Sequence, residues 1–269
     1  MVEAYDMRAV APTVCSILGV RHPRNCKVKP LLEVLETMGC QKRLAVVVID
    51  AFGVSTWTAA RMETPTFNAF ANRHLLHLRS VMPTITPVNF ATMVTGASPE
   101  VHLISTRDDD LALETVFDVL RCYDKTSATA ARALSSLGIL ISPFADQGGL
   151  AVSNTDEEVC SIAVDALKER VDLLWVQLLD VDDAGHEHGP LSSQGIAAAK
   201  RADAYLKEIV SEACKRGYAL IVLADHGQHT ITGDDGRKAG THGTRMEEDV
   251  YVPFIWCGPD EAARAMGIS

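Results

Sequence analysis

Leu44-Ala-Val-Val-Val-Ile49, followed at once by Asp50, is the stretch that decides the fold. It is a continuous apolar run rich in β-branched residues, which suits a central strand buried on both faces. Asp172 to Leu179 (DLLWVQLL) and Tyr218 to Leu223 (YALIVL) have the same character. Val250 to Cys257 (VYVPFIWC) is a weaker strand, because Pro253 inside it points to an edge or a bulge. Helical patterns lie between these runs. Thr155-Asp-Glu-Glu158 reads as a capping box opening a helix that continues to about Arg170. From Ser193 to Arg216, Ala202, Leu206, Ile209 and Ala213 fall on one face, and Gly217 is a suitable terminator. Alternating strand and helix predicts an α/β fold: three layers, α/β/α, around a largely parallel sheet. No composition shift or linker divides the chain, so residues 1–269 are expected to form a single domain. In such sheets ligands gather at the carboxyl ends of strands.

Composition narrows the function classes. The formal net charge of -10 argues against a nucleic-acid-binding surface, which needs a basic face. An acidic chain that binds phosphate needs a local positive source, and metal ions would supply it. The seven cysteines are odd in number, and none is spaced CxxC. They read as reduced thiols of a cytoplasmic protein. The N-terminal MVEAYDMRAVAP lacks the basic start and apolar run of a signal peptide. The apolar runs are too short to span a bilayer, so no membrane partner is expected. The sequence does not disclose an oligomeric state.

The chemistry sits just past the strands. Asp50 follows the first run. Asp182 and His186 follow the second, in Asp180-Val-Asp182-Asp-Ala-Gly-His186-Glu-His-Gly-Pro190. Asp225 and His226 follow the third, in Ala224-Asp225-His226-Gly227. One Asp at a strand end is as well explained by an N-cap or a turn. Three such sites, two of them pairing Asp with His, point to metal ligation. Mixed carboxylate and imidazole donors suit zinc, manganese or iron better than calcium. Asp182 and His186 are four apart and so share one side of a helical turn. His242, in Gly240-Thr-His-Gly243, gains meaning only from this company. His188 and His229, close to the same motifs, are read as supporting or solvated residues.

Pro83-Thr-Ile-Thr86-Pro-Val-Asn89 reads as a turn entering a helix, with Pro87 at the first helical position and Thr86 as N-cap. From this segment alone a simple cap suffices. A metal on the hydroxyl would instead make Thr86 a nucleophile, with the helix N-terminus helping to hold phosphate. Asn89, one turn in, either contacts a phosphate oxygen or faces solvent.

These residues in this order resemble the alkaline phosphatase superfamily, and within it the type I phosphodiesterase and nucleotide pyrophosphatase family. The matching pieces are VVVIDAFG (Val46–Gly53), TPVNFATMVTGASPEVH (Thr86–His102), DDAGHEHGP (Asp182–Pro190), LADHG (Leu223–Gly227) and THG (Thr241–Gly243). The resemblance implies an alkaline phosphatase-like fold and two divalent metal ions, zinc first and manganese as the alternative. It implies that Asp50, Thr86, Asp225 and His226 serve one ion, and Asp182, His186 and His242 the other. It implies hydrolysis of a small phosphorylated substrate through a covalent phosphothreonine at Thr86, with Asn89 beside it.

The chain departs from the family in places that touch substrate rather than metal. Phe90 stands where members often carry His, and Ala51-Phe52-Gly53 follows the first Asp where many show Gly and a later Arg. Gln228 follows ADHG where phosphodiesterases often have Met and related mutases Asn. Sulfatases need a formylglycine residue in a C-x-P-x-R setting that is absent here, and alkaline phosphatases place Asp before a nucleophilic Ser. Phosphomonoesterase, phosphonate hydrolase, phosphomutase-like enzyme and non-catalytic binder remain as alternatives. Mutases, though, carry an inserted domain not legible between Thr86 and Asp182. Val10 to Gly19 resembles the segment after the last histidine in sulfatases and mutases. It is therefore expected as a helix beside the Val250–Cys257 strand, as in a circular permutation.

Overall fold

The computed structural model describes residues 4–267. Met1 to Glu3, the start of the segment expected to lack a leader, lie outside the described residues. Ten strands follow one another: β1 (Tyr5–Asp6), β2 (Leu44–Ile49), β3 (Leu75–Arg79), β4 (Ser127–Arg132), β5 (Gln147–Ala151), β6 (Leu173–Leu178), β7 (Ala219–Leu223), β8 (His229–Thr232), β9 (Lys238–Thr241) and β10 (Tyr251–Cys257). Eight of them form one sheet in the order β1-β3-β10-β7-β2-β6-β4-β5, and β8 and β9 form an antiparallel hairpin. Every neighbour in the large sheet is parallel except those of β10. The three runs read as doubly buried strands take the middle. β2 lies between β7 and β6, with Val47 paired to Val222 on one side and Val176 on the other. All residues of these three strands are buried.

Helices flank the sheet in two groups. The long Ser193–Arg216 helix packs with Asp156–Glu169, Pro65–Ala71 and Pro259–Met266. Thr86–Thr95 packs with Val10–Ile17 and Val116–Cys122. Ser192 caps the long helix by accepting from Gly195 N–H, and Gly217 closes it at φ 70°. The Thr155 cap is only half of a capping box. Its hydroxyl accepts from Glu158 N–H, but the Glu158 carboxylate turns instead to Ser153. A reciprocal box exists elsewhere, at Thr115 and Asp118.

One expectation is corrected. β10 is an interior strand, not an edge. Pro253 fits because pairing with β7 begins only at Phe254, so Pro253 faces a neighbour on the β3 side alone. The Val10–Ile17 helix forms and packs on the Thr86–Thr95 and Leu32–Met38 helices, and the latter reaches β10 where Trp256 Nε1 donates to Thr37. The strand beside β10 on that flank is β3, with β1 beyond it. A buried helix with apolar residues all round needs cover, and the helical layer provides it.

This topology builds an edge for chemistry. β7, β2 and β6 are parallel neighbours, so their carboxyl ends lie side by side at strand spacings of about 4.8 Å. β10 runs the other way and brings Asp249, just before it, to the same edge. There the chains cross without room for side chains. A Cβ on Gly227 would stand 2.0 Å from the Glu248 carbonyl oxygen, and one on Gly53 would stand 2.7 Å from Gly227 Cα. Gly227→Ala should therefore destabilise the fold by about 3 kcal/mol, as overpacking does, lowering Tm by roughly 6–12 °C. At Gly258 an added methyl meets open space, so Gly258→Ala should cost less than about 1 kcal/mol. Thermal melts of both variants check this, and equal Tm values would contradict the crossing.

Candidate metal centre and nucleophile

Six residues expected as ligands converge in two groups: Asp50, Asp225 and His226, and Asp182, His186 and His242. Asp50 follows β2, Asp225 and His226 follow β7, and Asp182 and His186 ride the Asp180–His188 helix that follows β6. His242 comes from the chain just after the hairpin. Ala51 holds φ 57°, a conformation an alanine rarely adopts. This turns the chain so that Ala51 N–H donates to Asp225 Oδ1 at 3.3 Å.

The first group is wholly buried. Gln177 donates to Asp50 Oδ2 at 2.6 Å, which leaves Asp50 Oδ1 without a partner. Asp225 Oδ2 is likewise unpartnered. These two oxygens lie 3.5 and 3.4 Å from His226 Nε2. Thr86 Oγ1 is 3.1 Å from the same nitrogen. Nδ1 of His226 lies against the Gly227 carbonyl, that of His186 against Gly240, and that of His242 against Thr84. Carbonyls only accept, so each Nδ1 carries the proton and each Nε2 presents a lone pair. In the second group His186 Nε2 and His242 Nε2 are 3.0 Å apart. Asp182 Oδ1 is 3.3 and 3.6 Å from them. Lone pairs at such distances repel unless a cation sits among them. Orphaned carboxylate oxygens and inward-facing imidazoles are the donor set of a divalent transition metal.

The protonation balance follows from burial. Burial, and then the charges of Asp225 and Asp182, push Asp50 well above the usual carboxylate range. Burial and Asp182 raise Asp225 to about 7. Burial lowers His226, and burial together with His226 lowers His242 to about 4. Burial also pushes Asp182 upward, but the imidazoles gathered round its carboxylate, His186 foremost, outweigh this and bring it down. The Asp182 carboxylate beside it raises His186. The second group is the open one: the His186 side chain is 44% exposed. The His226 and His242 rings stack at 4.0 Å, so the two groups abut.

Thr86 is placed differently from its expected capping role. Ile85 is the cap, Thr86 is the first helical residue, and the hydroxyl turns to His226. Asn89 fits neither sequence alternative. It is fully buried, its Oδ1 accepts from Val81 N–H, and its Nδ2 donates to the Ile85 and Val81 carbonyls. Asn89 therefore braces the loop leading to Thr86 and has no side-chain surface for a phosphate. His229 bonds Asp249, and His188 lies 3.6 Å from Glu187.

Several contributors were not singled out in the sequence. Arg132, at the end of β4, is buried and binds Asp156, Asp180 and Asp183. Asp156 also accepts from Leu179 and Asp180 N–H. Together they fix the start of the helix that carries Asp182 and His186. Thr84 accepts from Gly243 N–H and offers its carbonyl to His242. Gln177 was the one polar residue inside an apolar strand, and that was the available signal. A surface cleft of about 530 Å³ is lined by Arg8, Arg79 and Glu100 among others and contains none of the converging residues. Convergence of donors, not cavity size, marks this site.

A sequence model described as type I phosphodiesterase / nucleotide pyrophosphatase matches residues 44–118 and 121–250, a span that contains Thr86 and all six converging residues. Among solved structures the chain is similar to murine ectonucleotide pyrophosphatase / phosphodiesterase 5, at 16% identity and a TM-score of 0.67, with 81% of this chain and 88% of that one covered. It is similar to phosphonoacetate hydrolase from Sinorhizobium meliloti 1021, at 19% identity and 0.58, covering 73% of this chain and 59% of that one. It is also similar to the C-terminal periplasmic domain of EcEptC from Escherichia coli in complex with Zn, at 12% identity and 0.56, covering 84% and 75%. At these identities the structures establish the fold. No curated protein sequence matches. By the matched span, the chain belongs to the type I phosphodiesterase / nucleotide pyrophosphatase family.

Proposed function

We propose that this chain, as one catalytic domain, hydrolyses small phosphate diesters or nucleotide pyrophosphates with two divalent cations, zinc in the first instance, and Thr86 as nucleophile. The observation that carries this is Thr86 Oγ1 at 3.1 Å from His226 Nε2, beside the unpartnered oxygens of Asp50 and Asp225. Asp50, Asp225, His226 and Thr86 would hold one cation, and Asp182, His186 and His242 the other. When bound, the cations supply Lewis-acid charge that lowers the pKa of the Thr86 hydroxyl and stabilises the phosphoryl oxygens. Thr86 Oγ1 loses its proton to water and forms a bond to phosphorus, while the bond to the leaving oxygen breaks. The leaving oxygen departs with the electron pair and is protonated by water. A second water then cleaves the phosphothreonine and restores the hydroxyl. The open second group gives the leaving side of the substrate its approach.

A threonine-to-alanine form of the murine relative, described as inactive, was solved in complex with AMP. That supports a nucleotide substrate and a threonine nucleophile here. Seven unpaired thiols among the described residues support a reducing, cytoplasmic setting. No helix among the described residues is long and apolar enough to cross a membrane.

Two outcomes test this. Thr86→Ala should lose several orders of magnitude in kcat, while stability changes by no more than about 1 kcal/mol. Thr86→Ser should keep part of the activity. Turnover by metal-loaded Thr86→Ala within tenfold of the parent would make a water the nucleophile. A panel of nitrophenyl diester, monoester and phosphonate should show the diester ahead.

The second outcome concerns pH. Asp225 and Asp50 have raised pKa values in the metal-free fold, so the stability they contribute is present at low pH. It is lost as pH rises from the ordinary carboxylate range through about 7. Cation binding needs both ionised and therefore releases protons. The Tm gain of zinc-loaded over chelated protein should grow between pH 5.5 and 8. A gain that is flat or falls with pH contradicts this site.

A further inference from the structure

Gln228 is buried beside the site and has no part in the chemistry above. It follows His226 and Gly227, yet its side chain serves the other group. Nε2 donates to Asp182 Oδ1 at 2.6 Å and to the Asp182 carbonyl at 3.2 Å. Asp182 Oδ1 is also the oxygen that approaches both His186 Nε2 and His242 Nε2. A carboxylate oxygen has two lone-pair positions. Gln228 takes one and leaves the other directed between the two imidazoles. The reversed amide would set Oε1 against a carboxylate oxygen at the same distance, so the orientation follows from charge.

The far end of the side chain costs something. Oε1 is buried without a partner. It is wedged between two glycines: a Cβ on Gly185 would lie 1.8 Å from it and one on Gly240 3.0 Å from it. Gly185 stands between Asp182 and His186, and the Gly240 carbonyl accepts from His186 Nδ1. A residue present only to fill space would be apolar, because an orphaned amide oxygen is unfavourable. What the glutamine adds over an apolar side chain of its size is the donor to Asp182.

We propose that Gln228 is a positioning residue for the second cation site, fixing the Asp182 ligand oxygen and so setting the affinity of that site while leaving the first unchanged. The inference rests on the two-cation reading of the centre. Removing a hydrogen-bond partner of a metal ligand typically costs 10–100-fold in affinity.

The test is calorimetric titration of metal-free parent and metal-free Gln228→Met with zinc, repeated with cobalt and its visible absorption. Methionine matches the length of glutamine but has no N–H. Gln228→Leu replaces it if the methionine chain fails to fold. The parent should bind two equivalents. In the variant the first equivalent should bind as in the parent, and the second should weaken by about 10–100-fold, with a changed cobalt spectrum for that equivalent alone. A parent that binds fewer than two equivalents overturns the two-cation reading and the inference with it. A parent that binds two, with a variant that binds both at parental affinity, overturns the inference alone and makes Gln228 a packing residue.

Discussion

Two fully buried carboxylates, Asp50 and Asp225, each keep one oxygen without a hydrogen-bond partner. Burying an ionised carboxylate unpaired is among the costliest arrangements a fold can hold. Beside them lies Asp182, held by Gln228, and three imidazoles turn lone pairs rather than protons toward the same space. Each Nδ1–H is committed to a backbone carbonyl, so it is the Nε2 atoms that face the carboxylates. The donors are of the kind that a divalent cation in each group would use. The strand order follows the same constraint: β7, β2 and β6 must be adjacent and parallel for their ends to deliver these side chains together.

Around this core the structure spends its other polar contacts on aim. Gln177 and Gln228 each donate at 2.6 Å to one carboxylate of each group. Arg132 gathers Asp156, Asp180 and Asp183, tying β4 to the helix that carries two of the three residues of the second group. A buried arginine with three carboxylates contributes little net stability compared with apolar packing, but it fixes geometry. Asn89 does the same for the loop before Thr86. The first group is closed and lies against Thr86, and the second is the open one.

Much of this was legible from residues alone. The β2, β6 and β7 runs announced themselves by their apolar composition, and most of the converging residues by standing shortly after them. β4 was not visible, because Ser127-Ala-Thr-Ala-Ala-Arg132 has small side chains and no strand signature, though it lies wholly buried. Arg132 went unnoticed with it, and nothing local distinguishes a buried arginine from a surface one. Pro253 misled because proline forbids a ladder bond, not an interior position, and the ladder on the β7 side begins one residue later. Asn89 misled in another way. Its motif position suggested a ligand contact, but whether an amide faces a site or a backbone loop depends on the loop's path, which sequence spacing does not encode. The helix before Gly19 was legible as a helix.

The central claim is that two cations sit among these six side chains. Anomalous diffraction from crystals of the active protein, recorded above and below the zinc absorption edge, tests it most directly. The account predicts two peaks about 3.5–4 Å apart, one among Asp50, Asp225, His226 and Thr86 and one among Asp182, His186 and His242. Fully active crystals that show no anomalous peak at either group, for zinc or for manganese at its own edge, would contradict it.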